Sequence, residues 1–87
     1  MKFQGALIKE QGVTFAIISV KLSALQSPAI RNQMQMFGHR VFGAVPIILA
    51  AEVSRGTMRY WGRRDIVAFL AKFPASWIPW RQYTVAA

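Results

Sequence analysis

Two uninterrupted apolar runs, residues 15–18 and 45–51, most constrain the fold that this chain can adopt. A strand with one solvated face alternates apolar and polar residues, whereas a strand buried on both faces is apolar at successive positions. Pro46 lies among the first residues of the second run, where a missing backbone donor is tolerated. The sequence therefore predicts two buried strands in a sheet that carries helices on one or both faces.

A glycine turn signal predicts a β-hairpin at the N-terminus. Gln11-Gly12 separates residues 3–10 from residues 13–21, and both flanks are rich in Val, Ile, Phe and Thr. Glycine supplies the positive φ that a tight turn requires. We expect the second strand of this hairpin to be central in the sheet.

Ser27 and Pro28 signal the start of the first helix, with serine as its cap and proline at its first position. Over residues 29–37, apolar side chains recur at helical spacing and predict one buried face: Ile30, Met34 and Phe37. Gly38 is the expected end of the helix. Strand, helix and strand in this order predict a right-handed crossover with parallel pairing of the second and third strands.

The segment from residue 52 to residue 61 predicts a turn followed by a short fourth strand. Residues 57–61 alternate and are expected to pair antiparallel to the third strand. This alternation places Arg59 and Trp61 on one face of the sheet, and Met58 and Tyr60 on the other.

A second helix begins at residues 64–65 and ends before Pro74. Its expected apolar stripe is Ile66, Phe69, Leu70 and Phe73. The tail, residues 75–87, is expected to be extended and packed down by its aromatic side chains.

These elements predict one α+β domain over residues 1–87, with the order β-β-α-β-β-α, an extended C-terminal segment and a mixed four-stranded sheet. Residues 14–73 resemble part of a thioredoxin-type domain. The resemblance includes Val45-Pro46, because the thioredoxin family has a cis proline where its chain enters the corresponding strand. The family's CxxC motif is absent, so the resemblance implies a fold and no redox activity.

Four short sequence segments resemble a family of small bacterial proteins of uncharacterised function. They are EQGVTFA (10–16), VPIIL (45–49), GRRDIVAFLA (62–71) and IPWRQYT (78–84). The resemblance covers the whole chain, and it implies a stand-alone domain without indicating an activity.

The charge balance points to an anionic partner. Lys and Arg number 11 against 3 Asp and Glu, a formal net charge of +8. The sharpest candidate for a polyanion site combines arginines, which suit phosphate oxygens, with aromatic rings that can stack on unpaired bases: Arg55, Arg59, Tyr60, Trp61, Arg63 and Arg64. An edge strand that presents Arg59 and Trp61 would be a platform for a single strand. The alternative is that the arginines form a solvated face and that the rings are core or dimer contacts.

The strand–Gly62–helix junction gives a second interpretation of the same segment. Backbone N–H groups at a helix start form an anion site, which Arg63 and Arg64 would strengthen. Asp65 would occupy that site itself if it caps the helix.

The sequence does not favour an enzyme. It has no cysteine, its only histidine is His39, and no cofactor, metal or nucleophile motif is present. No apolar run approaches the ~20 residues of a membrane-spanning helix, so we expect a soluble cytoplasmic protein. The function predicted here is that of a non-enzymatic accessory module that binds nucleic acid or another polyanion.

The alternative function is a homodimeric protein–protein interaction module. It would use a sheet edge and the aromatic tail, with Trp77, Trp80 and Tyr83 as interface residues. A partner other than a second copy is also compatible with such a surface.

Overall fold

A computed structural model describes residues 1–86. Within them the chain forms five strands, three helices and a 3-10 helix at Ala75–Trp77. The elements are, in chain order, β1 (Lys2–Glu10), β2 (Val13–Ser19), α1 (Leu22–Leu25), α2 (Pro28–Phe42), β3 (Ile47–Ser54), β4 (Thr57–Trp61), α3 (Arg64–Leu70) and β5 (Arg81–Thr84).

The strands form one mixed sheet in the order β4-β3-β2-β1-β5, with β2 at its centre. β2 pairs parallel with β3, and the other three pairings are antiparallel. The predicted hairpin is confirmed, and its turn residues Gln11 and Gly12 have φ values of 52° and 78°. The α+β class is therefore confirmed. A thioredoxin-like arrangement is not, and residues 1–86 contain no cis peptide bond.

The sheet has five strands where the sequence predicted four. The extra strand is β5, which pairs with the first half of β1 from Lys2↔Thr84 to Gly5↔Arg81. The tail is extended as expected. It was not counted in the predicted four-stranded sheet, because its four residues pair only with a segment from the opposite end of the chain.

Hydrophobic residues pack on both faces of the sheet, so the domain has three layers. On the α3 face the buried cluster is Ala6, Ile8, Phe15, Ile17, Ile48, Ala50, Ile66, Leu70 and Ile78. On the α1–α2 face it is Ala16, Ile18, Leu25, Ile47, Leu49 and Ala51. Alternate residues of β2 and β3 contribute to each cluster, which explains why both strands are apolar at successive positions.

The first long helix starts where predicted but continues past its expected end. Ser27 Oγ accepts a hydrogen bond from the Ile30 N–H at 3.3 Å, which confirms the cap. The helix then runs through Gly38 to Phe42. A Cβ at Gly38 would lie 2.6 Å from Cγ2 of Ile47, so this glycine permits close helix–sheet packing and does not end the helix. Ile30, predicted to be buried, is 40% exposed.

Two other boundaries differ from the prediction. β3 begins after Pro46 and extends to Ser54, so the turn to β4 is shorter than expected and contains Arg55. α3 ends at Leu70, and Phe73 beyond it is partly exposed and stacks on Trp77. No helix within residues 1–86 is both long and apolar enough to cross a membrane.

The close approach at Gly38 predicts a position-specific loss of stability. Gly38→Val should lower the free energy of unfolding by about 1–3 kcal/mol, because the added atoms overpack the contact with β3. Ala29→Val is the matched control, since Ala29 is exposed on the same helix and its change should stay within about 0.5 kcal/mol. Urea denaturation followed by circular dichroism measures both. Equal tolerance of the two valines would contradict the packing role of Gly38.

Candidate polyanion-binding site at the β4 edge

β4 is an edge strand whose side chains alternate between the two faces of the sheet. Arg59 pairs with Ala51, and Trp61 pairs with Leu49. Both partners belong to the α1–α2 cluster, so Arg59 and Trp61 lie on that face. The backbone edge of β4 that faces away from β3 pairs with no strand of residues 1–86. Arg59 and Trp61 therefore share one face, as the alternation of residues 57–61 predicted, and the structure places their strand at the edge of the sheet.

Tyr60 lies on the opposite face from Arg59 and Trp61. It is half-buried against the α3-side cluster together with Met58. This burial raises the pKa of the Tyr60 hydroxyl above its ordinary value. Tyr60 therefore packs between β4 and the α3-side cluster, and the sheet separates its ring from the side chain of Arg59.

Arg31 of α2 joins the site, although no pattern in the sequence indicated its role. Its guanidinium carbon lies 4.9 Å from the centroid of the Trp61 ring, within the range of a cation–π contact. Arg31 Nη1 donates a hydrogen bond of 2.5 Å to the carbonyl oxygen of Leu25, which fixes the guanidinium. Thirty positions separate Arg31 from Trp61 along the chain, so only the packing of α2 on the sheet brings them together.

Gly62 turns the chain sharply from β4 into α3. Its φ is 153°, a conformation that side-chain-bearing residues rarely adopt. A Cβ there would lie 2.5 Å from Cδ1 of Ile48 and 3.0 Å from the carbonyl oxygen of Ile47. The turn places Arg63 and Arg64 directly beyond the end of the edge strand.

Arg63 and Asp65 form a two-point ion pair at the start of α3. Arg63 Nε donates to Asp65 Oδ1, and Arg63 Nη2 donates to Oδ2, both at 2.7 Å. The hydrogen bonds from Arg63 hold the pKa of Asp65 at about 2. Asp65 lies within the first turn, whereas Arg63 holds the capping position. The two groups therefore satisfy each other, and Arg63 is the arginine of the predicted set that is already partnered.

The remaining predicted arginines are exposed and unpaired. The Arg63–Asp65 contact is the only ion pair within residues 1–86, so Arg55, Arg59 and Arg64 have no carboxylate partner there. Arg55 lies in the β3–β4 turn and Arg64 is the first residue of α3. Arg64 also lines a groove of about 380 Å³ between β4 and α3, together with Trp61.

The aromatic residues predicted as an interface are divided between the two faces of the sheet. Trp77 and Trp80 pack on the α3-side cluster, and Trp80 Nε1 donates a hydrogen bond of 3.3 Å to the Ala75 carbonyl oxygen. Tyr83 stacks on Phe3, with ring centroids 5.3 Å apart. All three rings are half-buried in contacts within the domain.

His39 contacts the backbone at the end of α2. Its Nδ1 is 3.0 Å from the Gly43 carbonyl oxygen, so the ring donates to the backbone at the end of α2. The Asp65 carboxylate, which could orient a catalytic histidine, forms its ion pair with Arg63. Within the described part of the chain, no three His, Asp or Glu side chains come together as metal ligands.

Comparison with protein-family models, curated proteins and solved structures gives no match. The resemblances to a small bacterial family and to the thioredoxin fold stay predictions.

The Arg63–Asp65 pair predicts a pH dependence of stability. Asp65 keeps its charge to lower pH in the folded state than in the unfolded state, where its pKa is about 3.9. Its contribution is therefore fully present above that value and is lost as the pH falls toward about 2. The measurement compares urea denaturation of the protein and of Asp65→Asn between these pH values. The stability difference should shrink as the pH falls, and a constant difference would contradict the pairing.

Proposed function

We propose that this protein is a non-enzymatic accessory domain that binds the phosphate backbone of a nucleic acid or a similar polyanion along the β4 edge. The observation that carries this proposal is the set of unpartnered arginines along one edge of the sheet: Arg55, Arg59 and Arg64. Guanidinium groups donate paired hydrogen bonds to phosphate oxygens, and each phosphate contacted releases counterions.

The local charge balance supports the same conclusion. With Arg31 and Arg63, this edge holds five of the eleven basic residues of the chain. Two of the three acidic residues of the sequence lie near this edge. Asp65 is neutralised by Arg63. Glu52 lies on β3, on the other face of the sheet from Arg59. A ligand that approaches the Arg59 face therefore meets a net positive field.

The unpaired backbone edge of β4 gives access to these charges. An extended ligand can run along a strand whose side chains on one face repeat every ~6.7 Å. Within residues 1–86, no strand pairs with this edge of the sheet.

A homodimeric interaction module is the alternative. That proposal draws on the large aromatic content of the tail. Most of the ring surface of Trp77, Trp80 and Tyr83 is buried in contacts within the domain. The dimer proposal therefore has less support than polyanion binding at the arginine edge. A stable dimer in light scattering without ligand, lost in Trp80→Ala, would favour the alternative.

A pair of matched double variants tests the binding site. Arg59→Gln with Arg64→Gln removes two phosphate contacts at the β4 edge. Arg40→Gln with Arg81→Gln removes the same charge from α2's last turn and from β5 at the opposite edge. The first variant should lower the slope of log affinity against log salt by roughly 1.4–1.8, and the control should leave most of it.

Fluorescence anisotropy of labelled oligonucleotides between about 50 and 200 mM salt measures these slopes. Equal losses of the salt slope in the two double variants would show that binding depends on the overall charge and not on a site at the β4 edge. Absence of binding by the unaltered protein at the lower salt would overturn the proposal itself.

Release of Arg63 gives a change in the opposite direction. Asp65→Asn breaks the two-point ion pair and should tighten polyanion binding, with a steeper salt dependence. Glu10→Gln removes the same unit of charge without releasing an arginine, so its effect should be smaller. The same anisotropy titration compares the two variants. Indistinguishable affinities would show that net charge alone governs binding.

A further inference from the structure

Trp61 stands apart from the other aromatic residues in how it is packed. Of the large apolar side chains exposed in residues 1–86, only Trp61 and Phe73 are aromatic. Phe73 stacks on Trp77 at 4.6 Å and contacts Phe69. Trp61 makes no ring–ring contact with any residue from 1 to 86, and its side chain is 38% exposed. An exposed indole without an aromatic neighbour offers surface that the fold itself leaves unused.

Arg31 holds this indole in place. Its guanidinium lies over the Trp61 ring and is itself anchored to the Leu25 carbonyl oxygen, so the ring has a fixed support on its α2 side. A side chain that is already ordered loses less conformational entropy when a ligand binds. The Arg31–Trp61 pair is therefore a prepared platform beside the unpartnered guanidinium of Arg59.

From this geometry we infer that the ligand of the β4 edge is a single-stranded nucleic acid. At least one unpaired base stacks on the Arg31–Trp61 platform while the neighbouring phosphates contact Arg59 and Arg64. This inference rests on the proposed function and names its ligand. Base stacking on an aromatic ring needs a free base face, which a single strand offers and the interior of a duplex does not. Arginine beside the ring adds its own stacking surface and charge.

The same edge is poorly suited to pairing with a second copy of the chain. An antiparallel pairing of β4 with itself about its central residue would place Arg59 directly opposite its copy. Like charges directly opposite across two strands destabilise the pairing. A negatively charged nucleic-acid strand along the same edge would instead be attracted to Arg59.

The test uses three probes at equal phosphate concentration and low salt: a labelled oligothymidylate, its duplex with oligoadenylate, and inorganic polyphosphate as competitor. The protein should bind the single strand more tightly than the duplex. Trp61→Ala should weaken single-strand binding by about 5- to 150-fold, the effect of one lost base stack, and Trp61→Phe should restore part of it. Affinity for polyphosphate should stay within about twofold, because no stacking is involved.

Arg31 is tested on the same probes as a positioning residue. Arg31→Gln should reduce the preference for the single strand over the duplex, since it releases the Trp61 ring. Arg40→Gln is the matched control on the same helix and removes the same charge. Tryptophan fluorescence gives an independent readout: the single strand should quench the unaltered protein more than Trp61→Phe.

Each other outcome has a distinct meaning. Equal affinity for single strand and duplex, with Trp61→Ala no weaker than the unaltered protein, would overturn the single-strand inference and leave polyanion binding intact. If the protein bound none of the three probes, both the proposed polyanion binding and the single-strand inference would be overturned. Circular dichroism of each variant separates a lost contact from a lost fold, and Trp61→Phe provides the comparison if Trp61→Ala does not fold.

Discussion

Burial of β2 on both faces is the constraint on which the rest of the structure depends. Phe15 and Ile17 face α3, whereas Ala16 and Ile18 face the first two helices. A strand that is apolar on both sides must be covered twice, so helices pack above and below the sheet. Parallel pairing with β3 requires a crossover, which α1 and α2 provide. The three-layer arrangement follows from this one strand.

The candidate site is a consequence of the same arrangement. Since β2 is central and β3 lies beside it, the next hairpin strand is left at the edge of the sheet with one side unpaired. The crossover helix also brings Arg31 over Trp61, which no contact local to β4 would achieve. Gly62 then turns the chain so that two further arginines follow at the end of the strand. One edge thus combines charge, an exposed ring and an open backbone.

Features with a local cause could be predicted from the sequence, and features decided by distant contacts could not. The hairpin, the Ser27 cap and the alternation in β4 each depend on a few neighbouring residues. Gly38 was wrongly expected to end a helix. In the sequence, a glycine that ends a helix cannot be told from one that allows close packing, and only the structure shows the contact of Gly38 with Ile47. β5 and the Arg31–Trp61 contact likewise join segments far apart in the chain. Of the site, the arginines were evident, whereas the pairing of Arg63 with Asp65 and the support of Trp61 required the structure.

Binding at the β4 edge can be located by titrating isotope-labelled protein with a short oligothymidylate and following the backbone amide chemical shifts. We expect the largest shifts in β4 and the turns at either end of it, together with the indole N–H of Trp61. The amides of β5, at the opposite edge of the sheet, should change little. Shifts concentrated on β5 and the adjoining half of β1, or spread evenly over the surface, would contradict a binding site at the β4 edge.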